Sequence, residues 1–269
     1  MKKELKKAIS KIFPGGEAKE KLKLIYYNLN KAEGVGFELA KNDSGKRIYK
    51  TIFEKIKLFT NEALYPIVAD FNYYQHFYKV KQGDIVLDAG ANFGHLSVFF
   101  SKIVGPEGLV YAFEPDSLNA KKIKENINLN PDLEDNIKII DLLLWNKNEI
   151  VDFYEAGTVG SSAVWIPEAG KTVKKESVRI DDWVKKNQIS KIDFIKMDIE
   201  GAEIEALDGC IETIRELKPN FAIASYHVVN GEQTYIKVED FFKRNNYPYK
   251  TVCFRKTEII TFAGPLTKK

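Results

Sequence analysis

The sequence predicts an α/β protein whose main domain is an open, mostly parallel sheet with helices on both faces. From residue 83 onward, short apolar segments alternate with segments of helical length, the pattern of parallel strands joined by crossover helices. The last two apolar segments lie too close together for a crossover helix, so they must pair as an antiparallel hairpin. Seven strands are predicted, and the closing hairpin disfavours the fold of the dinucleotide-binding dehydrogenases.

Composition supports a globular protein. The chain has 269 residues, of which 44% are hydrophobic, enough for one large domain or for a core with an added subdomain. The sequence lacks an apolar run of roughly 18 residues and the apolar segment of a signal peptide, which disfavours a membrane span and conventional secretion. Its two cysteines, Cys210 and Cys253, have no zinc-site spacing and fit a reducing compartment. We therefore expect a cytoplasmic protein.

The charge balance disfavours a nucleic-acid partner. Lys and Arg number 41 against 38 Asp and Glu, and the first 24 residues hold eight of the lysines. The rest of the chain has no basic bias of the kind that binds nucleic acid. Arginine, the usual bidentate partner of phosphate, is scarce as well.

Residues 1–79 are predicted to form a mostly helical N-terminal extension, ahead of a main domain at residues 80–269. The extension begins with a basic amphipathic helix, whose apolar face runs from Leu5 to Phe13 and which ends at Pro14-Gly15-Gly16. Lysines on such a helix attract anionic lipid, so peripheral membrane contact is one interpretation. Packing of the helix on its own domain is the more common arrangement.

The first half of the main domain contains three predicted strands, each bounded by turn residues. Strand 84–88 leads through the glycine turn 89–94 into a helix at 95–104, which ends at Gly105-Pro106. Strand 109–113 is followed by a polar helix at 117–129 and by strand 137–140. These elements repeat the strand–helix alternation on which the fold class rests.

The second half begins with a loop of small residues at 156–176, which is either a substrate lid or an irregular excursion. Asp181 is expected to cap a helix at 182–187. The remaining predicted elements are strand 194–197, helix 202–216, strand 221–225, helix 235–245, and the hairpin strands 249–254 and 258–262.

The strongest functional signal is the turn after the first strand together with the acidic end of the second strand. Gly90 and Gly94 let the backbone approach a ligand and let the helix pack closely on the sheet. The start of that helix suits an anionic group. Glu114 is placed to accept hydrogen bonds from two ribose hydroxyls, so the combination predicts a nucleoside site. The G-x-x-x-G spacing counts against NAD or FAD, and the alternative is a purely structural turn with a solvated Glu114.

A second group of polar residues follows the strand at 194–197. Asp198, Glu200 and Glu203 come directly after it, with Lys196 inside it, and ligands of open parallel sheets bind at this edge. Glu203 either binds a substrate or caps the helix that follows it. His227, which follows the strand at 221–225, is predicted at the same edge.

These motifs, taken in order, resemble the FkbM family of S-adenosylmethionine-dependent methyltransferases. The resemblance runs from about residue 80 to the C-terminus, and its motifs are Asp88–Gly94, Ala112–Asp116, Asn126, Asn130 and Lys196–Glu203. It implies a class I methyltransferase (Rossmann-like) fold, S-adenosylmethionine as the cofactor, and O-methylation, often of sugar hydroxyls.

The resemblance also implies roles for individual residues. Asp88, Gly90, Asn92 and Gly94 would line the methionine end of the cofactor, and Glu114 would hold the ribose. A further acidic residue, Asp141, would contact the adenine amino group, although Leu142–Trp145 replace the small residues expected after it.

Methyl transfer to a hydroxyl needs alignment and removal of a proton. We predict Asp198 and His227 as catalytic residues, and Lys196, Glu200 and Glu203 as residues that bind a saccharide or other hydroxyl-bearing acceptor. Asp198 and Glu200 lack a clear third ligand, so no metal is predicted.

Two other functions stay open at this stage. One is a non-catalytic module that binds a nucleoside, and the other is a nucleotide-linked dehydrogenase. The identity of the acceptor and the oligomeric state are not predicted.

Overall fold

A computed structural model of the protein describes residues 16–41, 45–65, 67–158, 160–167 and 172–268. The chain divides into two compact units, Met1–Val68 and Ala69–Lys269, whereas the sequence placed the boundary at residue 79. The apolar face predicted from Leu5 to Phe13 lies outside the described residues. Among the described residues, no helix is both long and apolar enough to pass through a bilayer.

The N-terminal unit contains one helix and a three-stranded antiparallel sheet, in the order β1–β2–β3. Its elements are α1 (Glu17–Leu29), β1 (Val35–Lys41), β2 (Arg47–Phe53) and β3 (Ile56–Thr60). The prediction of a mostly helical extension is therefore wrong for the described residues. Within β2, Thr51 and Phe53 are buried on either side of the less buried Ile52, the alternation of a half-buried strand. Each strand is short, and only pairing with its neighbours stabilises it.

The larger unit is built on a seven-stranded sheet. Its strands are β4 (Ile85–Ala89), β5 (Leu109–Phe113), β6 (Ile137–Ile140), β10 (Phe194–Met197), β11 (Asn220–Ala224), β14 (Tyr249–Arg255) and β15 (Glu258–Ala263). Their order across the sheet is β14–β15–β11–β10–β4–β5–β6. The five strands from β11 to β6 are parallel, and β15 pairs antiparallel with both β11 and β14. The predicted fold class is thereby confirmed for this unit.

Helices and smaller strands complete the larger unit. The helices are α2 (Val68–Tyr73), α3 (His95–Val104), α4 (Ser117–Asn128), α5 (Ile180–Lys186), α6 (Glu203–Asp208), α7 (Ile211–Glu216) and α8 (Tyr235–Arg244), with 3-10 turns at Pro131–Asn136 and Pro265–Lys268. The smaller strands are β7 (Leu143–Leu144), β8 (Ile150–Tyr154), β9 (Thr172–Val178), β12 (Val228–Val229) and β13 (Glu232–Gln233).

The helix predicted at 202–216 is two helices, α6 and α7, because Gly209 interrupts it. A Cβ at Gly209 would overlap the carbonyl oxygen of Trp145, so the chain passes here against the backbone of another segment. Only glycine allows that approach without displacing one of the two segments.

The prediction that Asp181 caps its own helix is wrong. Asp181 lies inside α5, whose N-cap is Arg179, and its carboxylate instead serves the first turn of α7. It accepts hydrogen bonds from the backbone N–H of Glu212 at 3.1 Å and of Thr213 at 2.8 Å. The carboxylate therefore satisfies backbone donors that a helix start leaves unpaired, in a helix that begins 31 residues after the start of its own.

The parallel strands bring the predicted site residues to one edge of the sheet. Glu114 follows the carboxyl end of β5, the glycine turn follows β4, Asp198 follows β10, and His227 comes shortly after β11. Ligands of open parallel sheets bind at this edge, so the topology places the two predicted groups of residues next to each other.

Candidate active site

The turn after β4 is held in a left-handed conformation that favours glycine. Gly90, Asn92 and Gly94 have φ angles of 73°, 52° and 76°. A Cβ at Gly90 would overlap the carbonyl oxygen of Asp198, and one at Gly94 would lie 2.9 Å from the side chain of Ile123. The bare Cα atoms therefore permit close packing against the loop after β10 and against α4, in addition to any approach of a ligand.

Beneath this turn lies a buried ion pair between Asp88 and Lys196. The Lys196 Nζ lies 3.1 Å from Asp88 Oδ1 and donates a hydrogen bond to the carbonyl oxygen of Gly90 at 2.7 Å. Asp88 is fully buried and accepts a 2.6 Å hydrogen bond from the Ser97 hydroxyl. Both side chains support the turn from below. The predicted contact of Lys196 with an acceptor does not agree with this position, because the residue is only 3% exposed and its ammonium is already paired.

Glu114 connects the end of β5 to the same turn. Its Oε2 accepts a 2.6 Å hydrogen bond from the backbone N–H of Asn92, and its Oε1 accepts one of 3.0 Å from that of Asp116. Burial raises the pKa of the Glu114 carboxyl to about 7, against the opposing effect of these hydrogen bonds. The Asn119 amide donates a longer bond of 3.4 Å to Oε1. A carboxylate has about four acceptor positions, so capacity remains on Oε2 for one ligand hydroxyl.

The start of α3 offers a place for an anionic group. No side chain caps this helix at Gly94, so its first backbone N–H groups and the positive end of its dipole are available. The adjacent His95 is buried, and its Nε2 has no hydrogen-bond partner among the described residues. Burial, with a smaller effect of Lys122, lowers the pKa of His95 to about 4, so the ring is neutral at physiological pH.

The loop after β10 and the segment after β11 bring four ionisable side chains together. The His227 Nε2 lies 3.5 Å from Asp198 Oδ1 and 3.6 Å from Glu200 Oε2, and its Nδ1 lies 3.0 Å from Glu203 Oε1. Tyr74 donates a 2.9 Å hydrogen bond to the other oxygen of Asp198, Oδ2. Tyr74 is not among the site residues predicted from the sequence.

His227 is a poor general base in this surrounding. Burial disfavours its charged form, but Glu200, Glu203 and Asp198 outweigh that effect and raise the pKa of His227 to about 11. The ring therefore keeps its proton at neutral pH in the absence of another cation, and the prediction of a catalytic base at this position does not fit the structure.

Glu203 holds this arrangement in place from below. It is fully buried, and its Oε1 accepts hydrogen bonds from the backbone N–H of Gly201 at 3.2 Å and of Ile199 at 3.3 Å. These bonds fix the loop after β10, and the same oxygen faces His227. Of the two predicted roles, the structural one matches this position more closely than contact with an acceptor.

The loop after β8 lies next to the site and is anchored by Asp116. The Asp116 carboxylate accepts 2.6 Å hydrogen bonds from the Gly157 N–H and the Ser161 hydroxyl, and the Ser162 hydroxyl donates to the carbonyl oxygen of Glu200 at 3.0 Å. Trp165, in the same loop, is 62% exposed. The described part of the predicted lid is thus tied to the site by hydrogen bonds.

Asp141 lies after β6, at the same edge of the sheet. Its side chain is 59% exposed and forms an ion pair with Lys175 at 3.2 Å. None of the hydrogen bonds given for the turn after β4 involves Asp141 or Lys175. Contact of Asp141 with an adenine stays a prediction.

Comparisons with known proteins agree on one family. The model of the methyltransferase FkbM domain matches residues 88–249. The 2-O-methyltransferase NoeI of Sinorhizobium fredii is 25% identical over 155 residues, which cover 51% of this chain and 62% of NoeI. The 31-O-demethyl-FK506 methyltransferase FkbM of Streptomyces tacrolimicus is 23% identical over 198 residues, which cover 61% of this chain and 74% of that protein.

A solved structure supports the fold. The crystal structure of methyltransferase FkbM from Methylobacillus flagellatus superposes with a TM-score of 0.54 and 19% identity, covering 72% of this chain and 47% of that one. At this identity the likeness shows the fold alone. The family model includes the turn after β4, Glu114, the carboxylates after β10 and His227.

Proposed function

This chain belongs to the methyltransferase FkbM domain family, whose cofactor is S-adenosylmethionine, and on that premise we propose that it methylates a hydroxyl group of a saccharide or glycoconjugate. Membership of this family excludes the dehydrogenase alternative. The names of both relatives specify methylation at an oxygen atom, which supports oxygen as the atom methylated here.

The observation that carries the proposal is the position of Asp198. Its carbonyl oxygen packs against Gly90 in the cofactor turn, and its backbone N–H donates a 3.1 Å hydrogen bond to Ala89. Its carboxylate Oδ1 has no hydrogen-bond partner among the described residues. A buried acceptor atom without a donor is costly, and a hydroxyl that binds there would meet the carboxylate next to the cofactor.

The residues around the turn fit the cofactor. Glu114 Oε2 accepts one hydrogen bond and can accept another from a ribose hydroxyl, and the uncapped start of α3 suits the carboxylate of the methionine part. S-adenosylmethionine supplies an activated methyl group when bound, so that the acceptor oxygen gains the methyl, sulfur keeps the electron pair of the broken bond, and the hydroxyl proton must leave. Asp198 orients that hydroxyl and accepts its proton.

A saccharide acceptor is supported by the side chains around Asp198. Glu200 is partly exposed beside it, and carboxylates bind sugar hydroxyls through hydrogen bonds. The exposed ring of Trp165 stands on a loop whose Ser162 contacts Glu200. An indole offers an apolar surface to the face of a sugar ring, and binding sites commonly combine such a surface with a few polar groups.

The test of this function is transfer of label from methyl-labelled S-adenosylmethionine to fractionated cell extract and to simple glycosides. We expect label in a carbohydrate product that survives mild base, because methyl ethers are stable there and methyl esters are not. A Glu114→Ala variant gives the background. Label on nitrogen or in base-labile material would contradict the proposal, and cofactor binding without any transfer would indicate a non-catalytic nucleoside-binding module.

We expect cofactor affinity to depend on pH through Glu114. The pKa of this carboxyl is about 7 in the folded protein, raised from its ordinary 4.5, so ribose hydroxyls must bind a group that is protonated below pH 7. Affinity for S-adenosylhomocysteine should fall about tenfold per pH unit below pH 7 and level off above it. By the same linkage, the ligand-free protein loses stability as pH rises from about 4.5 through 7.

Isothermal titration of S-adenosylhomocysteine between about pH 5.5 and pH 8.5 measures this dependence. A Glu114→Gln variant keeps the size of the side chain but has no proton to lose, so its weaker binding should not change across this range. If the affinity of the unmodified protein does not change with pH, Glu114 is ionised throughout this range, and the predicted pH dependence of the ribose contact is wrong.

A further inference from the structure

Three side chains after β10 and β11 point nitrogen and oxygen atoms at one another without forming hydrogen bonds. One oxygen atom of Asp198, one oxygen atom of Glu200 and one ring nitrogen of His227 all lie within 4.8 Å of one another. The His227 Nε2 is 3.5 Å from Asp198 Oδ1 and 3.6 Å from Glu200 Oε2, which is longer than a hydrogen bond between such atoms. Among the described residues, neither Nε2 nor Oδ1 has a hydrogen-bond partner.

The remaining atoms of these side chains are oriented by outer contacts. Glu203 Oε1 lies 3.0 Å from His227 Nδ1 but outside hydrogen-bond geometry, and the negative charge of this carboxylate favours a proton on Nδ1 and the lone pair on Nε2. Tyr74 donates to Asp198 Oδ2 and leaves Oδ1 facing Nε2. Carboxylates behind ligating histidines and donors behind ligating carboxylates are the usual outer contacts of a metal site.

A positive charge is needed between the His227 Nε2 atom and the two carboxylates that face it. The side chain of His227 is 10% exposed and that of Asp198 is 25% exposed, so solvent screens their charges poorly. A neutral imidazole would direct its Nε2 lone pair at two carboxylate oxygens, which is repulsive. Either a proton on Nε2 or a cation between the three atoms removes that repulsion, and only a cation makes use of separations too long for hydrogen bonds.

We propose that Asp198, Glu200 and His227 bind one divalent transition-metal cation such as Mn²⁺. A mixed set of one imidazole nitrogen and two carboxylate oxygens suits such ions better than Mg²⁺ or Ca²⁺, which prefer oxygen alone. Octahedral ligands at about 2.2 Å from a metal are about 3.1 Å apart, so the separations of 3.5 Å and 3.6 Å from His227 Nε2 to the two carboxylates need contract only slightly. Three protein ligands leave positions open for water and a substrate.

The consequence for catalysis rests on the proposed function. With the cation in place, the acceptor hydroxyl occupies an open position, and the cation lowers the pKa of that hydroxyl. Asp198 is then a ligand of the cation, so the O–H proton passes to water instead of to Asp198, the oxygen forms its bond to the methyl carbon, and sulfur retains the electron pair of the bond that breaks. His227 acts as a ligand in this state and as a charged ring without the cation, and in neither state does it accept the acceptor's proton.

The test is electron paramagnetic resonance titration of Mn²⁺ into the full chain, stripped with chelator and free of nucleoside. We expect one Mn²⁺ per chain, with coupling to an imidazole nitrogen. Binding should weaken at least about tenfold in Glu200→Gln and Tyr74→Phe, and the nitrogen coupling should vanish in His227→Gln. His76→Gln, a histidine whose ring packs on Phe254 and Phe262 away from the cluster, is the matched control and should bind as the unmodified protein does.

The absence of stoichiometric Mn²⁺ binding, or equal binding by Glu200→Gln and by the unmodified chain, would overturn the site. Circular dichroism checks that each variant folds. If His227→Gln does not fold, Glu200→Gln still tests the site, because the Glu200 side chain is 34% exposed. Titration of S-adenosylhomocysteine into the same samples separates the two claims. If the protein binds the nucleoside and transfers methyl groups without a metal, the proposed function stands and the metal site is wrong. If it binds Mn²⁺ but transfers no methyl group, the metal site stands and the proposed function is wrong.

Discussion

Replacement of Asp198 with Asn is expected to lower kcat by about 10²–10⁴-fold, the usual contribution of a proton acceptor. The amide cannot take a proton from the acceptor hydroxyl and is a weaker ligand for a cation, so the expectation holds whether Asp198 acts directly or through a metal. The amide oxygen can still accept the hydrogen bond that Tyr74 donates to Asp198, which preserves the local fold.

The decisive measurement separates kcat from cofactor binding. Affinity for S-adenosylhomocysteine should stay within about threefold in Asp198→Asn, because the cofactor is held by the turn after β4 and by Glu114. Asp152→Asn makes the same chemical change on an exposed side chain paired with Lys174, and it should leave both quantities unaltered. Unchanged kcat in Asp198→Asn would remove this residue from the reaction.

A second large effect is expected for Gly90→Ala, which should destabilise the protein by about 2–5 kcal/mol. A left-handed backbone conformation costs a residue with a Cβ about 1–2 kcal/mol, and overlap with a packed neighbour adds about 1–3 kcal/mol. Here the φ angle is 73°, and the neighbour is the carbonyl oxygen of Asp198. Backbone cannot rotate away as a side chain can, so the loop after β10 must shift and both cofactor affinity and turnover should fall.

Gly83→Ala is the matched control for this prediction. Gly83 has a φ angle of 78°, but a Cβ placed there would meet nothing within 4 Å. Urea denaturation should therefore give a loss of only about 1–2 kcal/mol for Gly83→Ala, and the difference between the two variants measures the overlap with Asp198. Equal losses would mean that the two loops do not pack as closely as the structure shows.

Much of the fold was predictable because its signals are local. The parallel strands of the main sheet are short, mostly apolar runs bounded by turn residues, and α3 begins and ends as predicted. The errors lie where a distant segment decides. Gly209 divides a predicted helix because the backbone of Trp145 passes against it, and Asp181 caps a helix other than its own. The three strands of the N-terminal unit were missed because each depends on its partners for stability.

The candidate site shows the same division. Glu114, Asp198 and the turn after β4 were placed correctly at one edge of the sheet, since the carboxyl ends of parallel strands share that edge. Lys196 carries a charge at the same edge in the sequence, yet its ammonium lies beneath the turn against Asp88. Its partner Asp88 is 108 residues away along the chain, and no local sequence pattern predicts such a pairing.

The amino-acid sequence by itself determined the alternation of strands and helices, the family, and which residues stand at the strand ends, because these depend on residue type and spacing over short distances. Only the tertiary structure decided what those residues face. It placed Tyr74 behind Asp198, Glu203 behind His227, and the His227 nitrogen between two carboxylates. The charge of an ionisable group and its capacity to bind a cation depend on burial and on neighbours within a few ångströms, and these come together only when the chain folds.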